Sequence, residues 1–115
     1  MTIPGKPPVP TDQVHHIGIA VADLDYSINF YKSIFGLEPG PIIVREELGV
    51  RGCFIAIGST NLELLQGTGP ESSISIHIEQ KGEGLHHICF EVEGIAEKLK
   101  TLEELGIDQI GRAHV

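Results

Sequence analysis

A segment of eight residues containing a histidine pair occurs twice in this chain. Val14-His15-His16-Ile17-Gly18-Ile19-Ala20-Val21 is answered by Leu85-His86-His87-Ile88-Cys89-Phe90-Glu91-Val92, at a constant offset of 71 residues. The correspondence continues downstream: Leu24 maps to Ile95, Ile28 to Leu99 and Tyr31 to Leu102. Internal repetition constrains architecture more than any other feature, because each copy has to build the same supersecondary unit. Both copies are short and rich in branched apolar residues, so both read as strands. Two equivalent strands carrying equivalent histidines can face each other across a pseudo-twofold axis.

The segments around the first copy define a module. Asp23 is placed to cap a helix. Leu24, Ile28, Tyr31 and Phe35 then form an apolar stripe at helical spacing, and Gly36 stops it. Residues 37–47 read as extended, interrupted by Pro39-Gly40-Pro41, with a turn at Gly49. Residues 51–57 and 62–66 read as strands joined by a tight turn at Gly58-Ser59-Thr60-Asn61. The first module, residues 14–66, is therefore β-α-β-β-β. A linker follows over residues 67–84. Within it, Ile74, Ile76 and Ile78 alternate as in a strand, yet the stretch is also compatible with a short connecting helix. The second module, residues 85–109, repeats the strand and a helix over 95–105 that Gly106 stops. Expected, then, is an α+β fold of paired β-α-β-β-β modules, with the second truncated after its helix. Residues 1–13 read as a proline-rich tail. Residues 110–115, Ile-Gly-Arg-Ala-His-Val, can be encoded by a common sequencing-adapter string and are expected to be non-native.

Bulk composition excludes several classes. A chain of 115 residues is normally one domain with a modest core. The balance of 16 acidic to 8 basic residues leaves no basic stripe for a phosphate backbone, so no nucleic-acid partner is expected. No apolar run reaches the roughly 20 residues of a membrane span. The N-terminus has neither the apolar core of a signal peptide nor the Arg-rich pattern of an organelle presequence. Cys53 and Cys89 lie in apolar strand-like runs and read as buried thiols rather than a disulfide framework. A reducing cytoplasm is the expected compartment.

The repeat also doubles a metal-ligand type. His16 and His87 are the strongest ligand candidates, since neutral imidazole is a common donor. Side chains alternate along a strand, so His15 and His86 are expected on the opposite face, as packing residues or as residues that support the ligands without binding the ion. His77 is expected at the surface. Glu63 is a charge inside the apolar run Leu62-Glu63-Leu64-Leu65, where a buried carboxylate needs a partner that a metal can supply. Gln66 alternates to the other face and is a weaker candidate.

These segments carry a resemblance. His16-Ile17-Gly18-Ile19-Ala20-Val21, Asn29-Phe30-Tyr31 leading to Phe35-Gly36-Leu37, Leu62-Glu63-Leu64-Leu65, and Lys81-Gly82-Glu83-Gly84-Leu85-His86-His87-Ile88 are similar to the vicinal oxygen chelate superfamily. Within it, the chain most resembles the methylmalonyl-CoA epimerase family. The resemblance implies a cupped sheet around one divalent metal (Co, Zn, Ni, Mn or Fe) held by His16, Glu63 and His87. It implies a fourth carboxylate at the symmetry mate of Glu63, about position 134 by the repeat offset. Glu47, two residues before Gly49-Val50, matches the family's acid/base glutamate, with Glu46 as its neighbour on the opposite face. The implied reaction is a 1,1-proton transfer at C2 of methylmalonyl-CoA, with a CoA thioester as substrate and a homodimer as the full-length assembly. Two other readings share the pattern: a glyoxalase I-like isomerase (lactoylglutathione lyase) acting on a glutathione hemithioacetal, and a non-catalytic small-molecule-binding module.

Overall fold

In the computed structural model, the structure describes residues 10–92 together with Gly94, Glu97 and Lys100. Strand β1 (Gln13–Ala20) leads to helix α1 (Leu24–Phe35) and strand β2 (Pro39–Arg45). A 3-10 turn over Glu46–Leu48 precedes β3 (Val50–Ile57) and β4 (Thr60–Gly67). Helix α2 (Ser73–Lys81) then carries the chain to β5 (Gly84–Glu91). The strands form one sheet in the order β2-β3-β4-β1-β5. β2, β3 and β4 are antiparallel neighbours, β4 runs parallel to β1, and β1 is antiparallel to β5. The β-α-β-β-β reading of the first module holds. The expected helix over 95–105 and the tails at 1–9 and 110–115 lie outside the described residues, Glu97 and Lys100 excepted.

Local chemistry accounts for the boundaries. The Asp23 carboxylate accepts the Tyr26 N–H at 3.0 Å, satisfying one of the donors left over at a helix start. At the other end Gly36 takes φ 68°, the left-handed conformation that costs a residue without Cβ little, and its N–H donates to the Lys32 carbonyl. Pro39-Gly40-Pro41 does not interrupt the extended segment as expected; it lies within β2, and the register slips between Pro39 and Ile42. β2 is an edge strand, where an N–H that faces away from the sheet can be missing without loss of a ladder bond. Glu46 and Glu47, read as extended, instead form the 3-10 turn that Gly49 closes at φ 65°. The β3–β4 connection is shorter than the sequence suggested, a turn of Gly58 and Ser59 alone. The ambiguous linker segment is helical. Ser72 caps it by accepting the Ile74 N–H, and Ile74 is buried while Ile76 stays exposed.

The two faces of the sheet carry different elements. Leu64, Ile55 and Cys53 pack with Val21 and Leu24 under α1. The next residue of β4, Leu65, points the other way and packs with Ala20 and Ile74 under α2. Gln66 lies on the α1 side: its amide oxygen accepts the Leu24 N–H at 2.8 Å and tethers the helix start to β4. Among the described residues, no helix is long and apolar enough to cross a membrane.

Where β1 meets β5 the repeat becomes a symmetry element. Ile17 pairs with Ile88, its own counterpart, while His16 pairs with Cys89 and Gly18 with His87. These last two pairs exchange under the repeat offset, so a local twofold axis passes between Ile17 and Ile88. The register slips at two places, between Val14 and His16 on β1, and between Gly18 and Ile19 where β5 steps from His87 to Leu85. The unmatched residues are His15 and His86, which are themselves equivalent. Each copy therefore contains a β-bulge at the first histidine of its pair.

Candidate metal centre

β4, β1 and β5 lie side by side at one end of the sheet, and each contributes one donor to a single point. His16 Nε2 is 3.0 Å from His87 Nε2. Glu63 Oε1 is 3.5 Å from the first and 3.3 Å from the second. His16 is fully buried, whereas Glu63 and His87 keep 18% and 25% of their side-chain surface, so the cluster is reached from one side. Phe54 on β3, paired in register with Glu63, sets its ring edge-on to His16 at 5.6 Å. Gly18 makes room for His87: a Cβ at that position would sit 2.2 Å from the imidazole Cε1.

The residues fit a divalent ion. Donors about 2.1 Å from a common ion lie ~3.0 Å apart at right angles and ~3.4 Å apart in a tetrahedron. The observed separations of 3.0, 3.3 and 3.5 Å span that range. Two imidazoles and a carboxylate form a mixed N/O set that suits several first-row metals, and residue type does not choose among them. The structure thus brings His16, Glu63 and His87 together.

His15 and His86 depart from expectation. They do not turn to the opposite face. His15 Nδ1 lies 2.8 Å from His16 Nδ1, and His86 Nδ1 lies 2.8 Å from His87 Nδ1. The bulges are the cause, since an extra residue breaks the alternation of side chains and swings neighbours toward the same side. Asn61 and Thr60 of β4 hold the β1 bulge by donating to the His15 and Val14 carbonyls. His77 is not a free surface residue either; it is half-buried and stacks edge-on against His86 with ring centroids 4.9 Å apart. Burial pushes the His86 imidazole below its ordinary pKa, and the neighbouring His87, His77 and Lys81 push the same way against a smaller opposing pull from Glu63. Cys89, read as a bland thiol, is buried beside the site, with Sγ within 4.8 Å of donor atoms of His15 and His16. Neither histidine segment carries a local signal for its bulge, because a bulge depends on how two strands pair.

A groove of about 550 Å³ runs along the α2 side of the sheet, lined by Glu63, His15, Phe54, Leu65, Arg45 and Leu48 among others. Glu47 is exposed on the 3-10 turn between Arg45 and Leu48. Its chain neighbours Arg45 and Leu48 line the groove. Glu46, its neighbour, is also exposed. Cys53 is buried and its thiol donates to the Gly40 carbonyl at 3.3 Å; burial raises its pKa, against a smaller lowering by that bond.

The family model for the glyoxalase/bleomycin resistance protein/dioxygenase superfamily matches residues 15–114. Mitochondrial methylmalonyl-CoA epimerase of Bos taurus is 36% identical over 103 residues, covering 88% of this chain and 59% of the relative. The ethylmalonyl-CoA/methylmalonyl-CoA epimerase of Cereibacter sphaeroides is 35% identical, covering 86% of this chain and 75% of the relative. The chain spans 59% and 53% of the length of the bovine and human relatives it matches. Among solved structures, a methylmalonyl-CoA epimerase in complex with methylmalonyl-CoA and ammonium superposes with a TM-score of 0.81 at 30% identity, over 90% of this chain and 76% of that one.

Proposed function

Because this chain belongs to the glyoxalase/bleomycin resistance protein/dioxygenase superfamily, we propose that its site serves the epimerisation of methylmalonyl-CoA by a 1,1-proton transfer at C2. The observation that carries the reading is the convergence of His16, Glu63 and His87 within 3.5 Å of one another beneath an open groove. Relatives whose names specify this reaction, and a similar structure holding methylmalonyl-CoA, support the choice of substrate.

His16, Glu63 and His87 would hold a divalent ion, which when bound supplies Lewis acidity toward the substrate's oxygens and so favours the enolate. The remaining work falls to the chain itself. Buried His16 and the Phe54 ring against it close the inner side of the site to water. Glu47, exposed on the 3-10 turn, removes the C2 proton from one face of the thioester or returns it there, as a carboxylate general base does. Its turn is fixed by Gly49, so the carboxylate is presented from a short, defined segment rather than a long loop.

The reading is tested by following exchange of the C2 proton of methylmalonyl-CoA in deuterated water. Glu47→Gln is expected to abolish exchange on its face while Zn²⁺ affinity stays unchanged. Undiminished exchange in that variant, or turnover of a glutathione hemithioacetal in place of the CoA thioester, would overturn it.

A further inference from the structure

We propose that His15 and His86 are positioning residues that fix the tautomer of the two imidazole donors. The inference rests on the metal-binding reading above and extends it to residues that touch no ion. The contacts run in a line: His15 Nδ1 to His16 Nδ1 at 2.8 Å, His16 Nε2 to His87 Nε2 at 3.0 Å, and His87 Nδ1 to His86 Nδ1 at 2.8 Å. A neutral imidazole has one N–H and one lone pair. For Nε2 of His16 or His87 to present its lone pair to a cation, the proton has to sit on Nδ1. That proton then needs an acceptor, and in both modules the atom in place is the Nδ1 of the preceding histidine. His15 and His86 accept there and keep their own protons on Nε2.

Two features make this more than a chance contact. First, the arrangement occurs twice, related by the twofold axis between Ile17 and Ile88, with the same separation of 2.8 Å in both copies. Second, each contact exists only because of a register slip. In a regular strand, adjacent side chains point to opposite faces and their rings could not meet. A bulge at the first histidine of each pair brings the rings together, and such bulges commonly serve to re-aim a side chain beside a functional site. Ligand histidines in metal sites generally donate their second N–H to a carboxylate, a carbonyl or water. Here a second imidazole takes that place on both arms.

The experiment is Zn²⁺ titration of the full chain against a competing chelator. His86→Ala and His15→Ala are expected to weaken binding about 10–100-fold. His86→Asn and His15→Asn, whose amide oxygen can accept where Nδ1 does, are expected to restore affinity to within a few-fold of the parent. Nitrogen-15 spectra of the zinc-loaded protein are expected to show His16 and His87 protonated at Nδ1, and His15 and His86 at Nε2. A parent that binds Zn²⁺ while the alanine variants bind equally well overturns the proposal alone. So do asparagine variants as weak as the alanine ones, or His86 protonated at Nδ1 in the zinc-loaded protein. A parent that fails to bind Zn²⁺ overturns the underlying metal reading with it.

Discussion

Gly18→Ala is the sharpest perturbation the structure offers. Gly18 lies on β1 opposite His87, in the pair nearest the twofold axis on that side. Its backbone is ordinary strand, so the substitution carries no conformational penalty of its own; the problem is space. An added Cβ would lie 2.2 Å from His87 Cε1, 2.4 Å from Nδ1 and 2.8 Å from Nε2. Ordinary carbon contacts are about 3.5–4.0 Å, so the ring has to retreat by more than ~1 Å. Metal-ligand distances tolerate only about ±0.2 Å, so a retreat of that size removes His87 from the ligand set. The same movement breaks its contact with His86. If the ring instead holds its place, the backbone strains, at about 1–3 kcal/mol for overpacking. The expected result is a loss of Zn²⁺ affinity greater than that of His86→Ala, with unfolding free energy lowered by up to that amount. Chelator competition and urea denaturation of the same samples measure both. Parental Zn²⁺ affinity together with stability within about 0.5 kcal/mol of the parent would refute the reasoning, since the methyl would then have met nothing.

Two further outcomes follow from the scaffold. Asp23→Ala removes the carboxylate that accepts the Tyr26 N–H and should lower stability by about 0.5–2 kcal/mol, read from the shift in urea midpoint, with Asp23→Asn close to the parent. Cys53, 1% exposed and with its thiol pKa raised by burial, should react with a thiol reagent only as fast as the protein opens; rapid labelling under native conditions would contradict its place in the core.

Legibility in the sequence tracked the range of the interactions involved. Helix α1 was readable at both ends because Asp23 and Gly36 act on the backbone within a turn of themselves. β1, β3, β4 and β5 were readable because their apolar residues and the turn glycines are local signals. Helix α2 was not, because Ile74, Ile76 and Ile78 fit both periods, and packing of Ile74 against Ala20 and Leu65 decided the matter. Pro39-Gly40-Pro41 looked like a break because its tolerance depends on β2 being an edge, a property of the sheet order.

The site divides along the same line. Sequence alone determined that equivalent histidines occupy equivalent strands, and that a carboxylate interrupts the apolar run of β4. Those facts are carried by residue identity and by the offset of 71. Only the tertiary structure decided that β1 and β5 pair antiparallel through Ile17 and Ile88, that Gly18 is the space His87 needs, and that His15 and His86 turn beside the donors rather than away from them. Alternation is a rule for an isolated strand. A bulge is a relation between two strands, set by how their hydrogen bonds register, so nothing within either histidine segment could have fixed which way the first ring of each pair would face.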